Sequence, residues 1–179
     1  MTKTPIEVRK ERTKRLTVCA MLAALSVILL LLGSFVEVVD ISMAVVASLL
    51  CVFAVIEYGG SAPWLVFGVT SILSLLLLPQ KTPAVMYLLF FGYYPILKER
   101  LEKLPRLLSW ILKEVIFNVA LIVMMVLSAL LLFSSETDLT LLYVAFFVVA
   151  EIAFPIYDIA LTRLISLYLF RLRKRFRIK

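Results

Sequence analysis

Within a long apolar run, Leu141 to Phe170, stand two carboxylates, Glu151 and Asp158, on either side of Pro155. A carboxylate in such surroundings can accept hydrogen bonds from a ligand, exchange a proton, or pair with a cation. If the run starts at the outer membrane face near Leu141, the rise of a helix puts Glu151 about 15 Å deep, close to the bilayer midplane. A charge at that depth costs at least about 2.5 kcal/mol and is expected to face a protein interior or a water-filled cavity. The other ionisable or strongly polar side chains in the late apolar segments are Lys113, Glu114, Asn118 and Arg163. Glu114 or Asp158 can pair with Lys113 or Arg163, because all four fall at similar depth when the last two apolar segments run antiparallel. These four are read as structural ion pairs near the inner interface. Glu151 has no cation at its depth. Its candidate partners are Asn118, tyrosines such as Tyr87 and Tyr93, or a proton, so it is a ligand contact, a proton relay or a structural hydrogen-bonding group.

Other chemistries are missing from the sequence. There is no histidine for general-base or metal work, no GxSxG elbow, no Gly-rich phosphate loop and no HExxH. Paired aspartates for intramembrane proteolysis need two facing helices, and Asp158 is the one aspartate inside an apolar segment. No catalysis, metal or cofactor is expected. Cys19 and Cys51 lie in apolar segments without CxxC spacing, which suggests buried small residues and neither a zinc site nor a disulfide framework.

These residues must be held by membrane helices. Of the 179 residues 63% are hydrophobic and 17% charged, and the mean hydropathy is +1.06, values that mark an integral membrane protein. No polar block is long enough for a second domain, so a single domain made of spans is expected. The fold class is an all-α bundle of six transmembrane helices. An amino-terminal basic leader ends at Leu16, and the first span covers 16–36. It follows the leader as a signal peptide's core would, but it is longer and lacks a small-residue cleavage site, so it should remain as a helix.

Glu37 to Asp40 makes a short acidic connection, with Asp40 placed to cap the second span at 41–56. Gly59 and Gly60 mark the next turn, and Ser61 followed by Pro63 marks the start of the third span at 62–78. Thr82 and Pro83 repeat that signal before the fourth, 84–97, which is short and interrupted by Gly92 and Pro95. Such a segment is either an ordinary kinked helix or a discontinuous helix of the transporter kind. The fifth span, 107–133, starts at Leu107 with Trp110 as an interface anchor, or only after Lys113 and Glu114. An acidic turn with Glu136 and Asp138 precedes the sixth span, 141–170.

The net charge is +7, and its distribution sets the orientation. Six Lys/Arg lie in the leader, four in the connection between spans four and five, and six in the carboxy-terminal tail, whereas the three connections on the other side hold Lys81 alone. The positive-inside bias then places both termini in the cytoplasm. Clusters that flank apolar runs read as anchors against an anionic leaflet and not as a nucleic-acid surface. A multi-pass protein of the bacterial cytoplasmic membrane is expected.

Two faces are rich in small residues. Ala44, Ala47, Cys51 and Ala54 make a stripe on the second span, read as internal packing, and Ala20 and Ala24 stand four apart on the first. With Lys14-Arg15-Leu16-Thr17 running into Ala20-Met21-Leu22-Ala23-Ala24, the length and the six spans, the chain resembles the S-components of energy-coupling factor (ECF) transporters, small membrane subunits that capture vitamins or metal ions. The resemblance implies that Ala20 and Ala24 match the family's AxxxA motif for docking on a transmembrane coupling subunit. It also implies partner subunits that bind ATP. The nickel and cobalt members use histidine, which this chain lacks.

The function expected is capture of a small, vitamin-like solute through Glu151, Asn118, Tyr87 and Tyr93. Two other readings stand beside it: a non-transporting membrane scaffold or assembly protein, and a self-sufficient ion-coupled carrier.

Overall fold

The computed structural model describes residues 5–132 and 139–172. The acidic turn with Glu136 and Asp138 and the basic tail from Arg173 onward lie outside the described residues. Among the described residues there is helix and no strand. The chain divides into two compact units, Met1–Ile116 and Phe117–Lys179.

Helix α1, Pro5–Phe35, takes in the basic leader and the first span without a break. Proline suits the first helical position because its missing N–H would have no helical partner there. Thr13 and Thr17 donate their hydroxyls to the carbonyls of Arg9 and Thr13, each at 3.0 Å, so the polar stretch satisfies itself along the helix. Thirty-one residues make about 46 Å of helix, well beyond the ~30 Å of a hydrocarbon core. The leader therefore projects from the apolar part as a rigid helical extension. Cys19, Ala23, Ser26, Val27, Leu30 and Ser34 are buried on one face of α1, while Ala20 and Ala24 are exposed.

Helix α2, Asp40–Glu57, is the centre of the first unit and packs on α1, on α3 (Ala62–Leu77) and on the segments that follow. Ala44, Ala47, Cys51 and Ala54 are fully buried, as expected for an internal packing stripe. Small side chains let helix backbones approach, and close packing is what associates helices when lipid is as apolar as the side chains. Asp40 departs from its expected role as the cap. A 3₁₀ turn, Glu37–Val39, runs straight into α2, so Asp40 is already helical and its carboxylate accepts from the Ile41 N–H at 2.6 Å.

Helix α2 ends where Gly59 and Gly60 adopt φ of +55° and +58°, the left-handed region that glycine enters without steric cost. The Gly59 N–H donates to the carbonyls of Ala54 and Val55 and closes the helix. At the far end of α3 the Lys81 ammonium donates to the carbonyls of Leu75 and Leu78, at 2.8 and 2.6 Å. Those carbonyls belong to the terminal turn, whose acceptors have no partner in the helix itself.

The fourth apolar segment changes helical type along its length, with the backbone at Met86, Tyr87, Gly92 and Tyr93 in the right-handed helical region. It consists of α4 (Thr82–Met86), a π-helical segment (Tyr87–Phe91), a turn, and α5 (Tyr94–Leu101). The Gly92 N–H donates to the Tyr87 carbonyl five residues back, at 2.7 Å. A side chain at Gly92 would have its Cβ 2.6 Å from the Phe67 ring and 2.7 Å from the Tyr87 ring, so only glycine lets the three meet. Helix starts also shift slightly: α4 begins at Thr82, and neither Ser61 nor Thr82 caps with its side chain.

Helix α6, Arg106–Leu132, is helical through Lys113 and Glu114, which settles where this helix begins; the division between the units falls within it. In the second unit α7, Leu139–Leu167, contains Pro155 and ends in a π-helical segment, Tyr168–Leu172. The rings of Phe117 on α6 and Phe154 on α7 stack at 4.4 Å with 10° between their planes.

By length and composition four helices can cross a membrane, Arg9–Phe35, Asp40–Glu57, Arg106–Leu127 and Val144–Phe170, and Ala62–Leu77 is a shorter apolar one. Met21, Ile28, Ile72, Leu76, Val119, Ile122, Val149 and Ile152 all point outward. So broad an apolar exterior is a lipid-facing surface, and the chain is an all-α membrane protein.

Candidate functional site

Glu151 sits on α7 within the apolar stretch Val144–Phe170. The residues at 151, 154, 158 and 161 share a helix face by their three- and four-residue spacing. Phe154, Asp158 and Leu161 are buried and Glu151 is half-buried, while Ile152, Ile156 and Ile159 on other faces are exposed. The acid is thus turned toward protein. Its Oε1 is buried and has no hydrogen-bond partner among the described residues. A buried polar atom in that state carries the cost of lost hydration without return.

In the second unit Phe117 of α6 stacks on Phe154 of α7. Asn118, half-buried, follows Phe117, and Glu151 lies one turn before Phe154. The amide and the acid that the sequence marks as solute contacts therefore belong to two helices that share this aromatic contact. The Thr162 hydroxyl donates to the Asp158 carbonyl at 2.9 Å, and Arg163 is exposed.

Tyr87 and Tyr93 lie in the first unit. Their rings both contact Phe67, at 6.2 and 6.1 Å between centroids, with Trp64 on the same ring at 6.0 Å. Tyr87 is fully buried beside Leu30, Ala44, Ala47, Leu78 and Ala84. A glycine at 92, a phenylalanine at 67 and the π-helical turn assemble these rings, and of the three only Gly92 is marked in the sequence, as a helix interruption.

Charged groups of the first unit form pairs outside the expected set. Lys98, 1% exposed, lies 3.0 Å from Glu102 Oε1, and Lys113 from α6 reaches the same oxygen at 3.5 Å. Lys113 Nζ also stands 5.7 Å from the Trp110 ring. The expected set of Lys113, Glu114, Asp158 and Arg163 did not contain Lys98 or Glu102, because both fall in what reads as a solvated loop. The i,i+4 spacing of Lys98 and Glu102 was the signal available. Arg15 donates to the Gly59 carbonyl at 2.7 Å, with its guanidinium 6.0 Å from the Tyr58 ring. Burial pushes the Tyr58 phenol above its ordinary pKa, with Cys19 and Glu57 acting in the same sense and Arg15 opposing them.

Hydroxyl groups follow two patterns. Ser26, Ser34, Ser48 and Ser74 donate to carbonyls of their own helices at 2.6 to 3.1 Å, the usual way a small polar group is accommodated in an apolar bundle. Thr70 and Ser71 on α3 are buried with hydroxyls that have no hydrogen-bond partner among the described residues. Cys19 and Cys51 are free and buried, and the Cys51 thiol donates to the Pro63 carbonyl at 3.9 Å. Among the described residues no three Cys, Asp or Glu side chains gather as a metal site would require.

No family model, no curated protein and no solved structure matches this chain.

Proposed function

We propose that the chain is the membrane-embedded substrate-binding subunit of a small-solute uptake transporter, of the S-component kind, energised by partner ATPase subunits. The observation that carries this reading is the Glu151 carboxylate oxygen, buried in an apolar helix without a hydrogen-bond partner among the described residues. A polar solute that donates to Glu151, with Asn118 on the neighbouring helix, offsets the cost of keeping that acid in the membrane. Specificity in such a site comes from a few placed polar groups in an otherwise apolar lining. The proposal rests on Glu151 and Asn118. Tyr87 and Tyr93 belong to an aromatic cluster of the first unit.

Six crossings with both termini in the cytoplasm complete the reading. The exposed Ala20 and Ala24 would seat a transmembrane coupling subunit, since small residues on an outward face permit close approach.

The test is purification from native membranes. A bound solute in the mass spectrum, co-purifying ATP-binding and coupling subunits, and loss of uptake in Glu151→Gln are expected. A ligand-free protein together with unchanged uptake of every candidate solute in Glu151→Gln overturns the reading.

A scaffold or assembly role is the second reading. It is favoured by the number of cations spent on internal partners, namely Arg15, Lys81, Lys98 and Lys113. On that reading Glu151→Gln lowers the stability of the protein and leaves transport untouched.

A further inference from the structure

We infer that the solute held at Glu151 is an organic ammonium, a cation that brings several N–H donors to one point. The inference rests on the solute-binding reading of Glu151 and narrows its chemistry. Two acceptors belong to this one residue. The first is Oε1 of its carboxylate, buried without a hydrogen-bond partner among the described residues. The second is its main-chain carbonyl, because Pro155 stands four positions further along α7 and has no N–H to give it. A proline inside an apolar helix is tolerated where some other group satisfies the freed carbonyl.

The helices of the second unit bring no cation to this point. The nearest basic residue on α7 is Arg163, exposed and about 18 Å of helical rise away. The part of α6 in this unit, 117–132, contains no Lys or Arg. That balance selects among ligand classes. An anionic solute would meet the charge of the acid at short range in a low dielectric. A neutral alcohol or amide can donate to Glu151, yet it leaves a net charge inside the membrane, and the cost of that charge remains. An ammonium group carries up to three N–H donors and the opposite charge, so it can serve both acceptors and neutralise the acid. A hard metal ion asks for more, about six to eight oxygen ligands, and among the described residues no three Cys, Asp or Glu side chains gather.

The full chain in lipid nanodiscs, titrated with butylammonium chloride, butanol, sodium butyrate or sodium chloride and followed by its thermal unfolding, tests this. Butylammonium should stabilise wild type, and the other three should not. Glu151→Gln should weaken butylammonium binding at least about tenfold, as expected when a charged hydrogen-bond partner is lost. Pro155→Ala favours the helix and returns an N–H to the Glu151 carbonyl, so it should weaken binding about fivefold. Equal stabilisation by butanol or butyrate overturns the ammonium assignment while leaving solute binding at Glu151 in place. An equal shift with sodium chloride overturns it in favour of a metal ion. No shift in wild type, or unchanged butylammonium binding in either variant, overturns it as well. The solute-binding reading itself is decided separately, by the co-purified solute and by uptake in Glu151→Gln.

Discussion

Arg15 and Gly59 are 44 positions apart, and the guanidinium of the first donates to the carbonyl of the second at 2.7 Å. The contact joins the end of the basic leader to the turn between α2 and α3. The leader and that turn therefore lie at one end of the bundle, as they must when α1 and α2 run antiparallel. The Arg15→Ala variant should lose about 2 kcal/mol, the range of a hydrogen bond to a charged group. Thermal unfolding in detergent measures it, and Arg15→Lys should recover part of the loss.

Gly59→Val places a β-branched residue at φ +55°. The left-handed region costs such a residue at least about 1 kcal/mol. Gly59→Asn should cost less, because asparagine tolerates that region. Equal stability of the two variants would refute the assignment of backbone strain to this position.

Gly92→Ala should destabilise the first unit by about 1–3 kcal/mol, the cost of overfilling a packed interior. The added Cβ meets the rings of Phe67 and Tyr87, so near-ultraviolet circular dichroism should change as they move. Phe67→Leu in the Gly92→Ala background should restore part of the stability. If it does not, the crowding lies elsewhere.

Lys81 is the one basic residue in the connections assigned to the outside, and its ammonium is held by two carbonyls at the end of α3. Lys81→Met should fray that end and cost about 1–2 kcal/mol. Cysteine labelling in intact cells checks the orientation. A probe that cannot cross the membrane should modify Lys81→Cys and spare Lys103→Cys, and labelling of both from the same side would end the topology proposed.

Glu102→Gln should destabilise more than Glu99→Gln. The first removes the carboxylate shared by the buried Lys98 and Lys113, whereas the second loosens an exposed pair with Lys103. Exposed pairs contribute at most about 1 kcal/mol, and the half-exposed Glu102 keeps some screening of its own. Matched denaturation of the two variants decides the order.

The helices were legible because their cause is local. Apolar runs, glycines at 59 and 60, and Pro63 and Pro83 mark the bounds of α2 and α3 and the start of α4 within a few residues, whereas α1 begins at Pro5, eleven residues before its expected apolar span. The Ala44, Ala47, Cys51 and Ala54 stripe declared its burial through side-chain size alone. The interruption at Gly92 and Pro95 could be read, but its form as a π-helical turn around Phe67 could not, since that depends on a ring contributed by another helix.

Composition and hydropathy were enough to give the class of protein, the approximate place of the apolar helices and an acid, Glu151, within one of them. The rotation of each helix about its own axis, which decides its partners, came from packing alone. It turned Glu151 toward the protein with Phe154 and Asp158, brought Lys113 to Glu102, gave Arg15 a carbonyl far along the chain, and made the leader a straight continuation of α1. The reason is physical. A helix is fixed by interactions within a few residues, whereas its rotation about its own axis is fixed by the sum of packing contacts with neighbours, and no short stretch of sequence contains that sum.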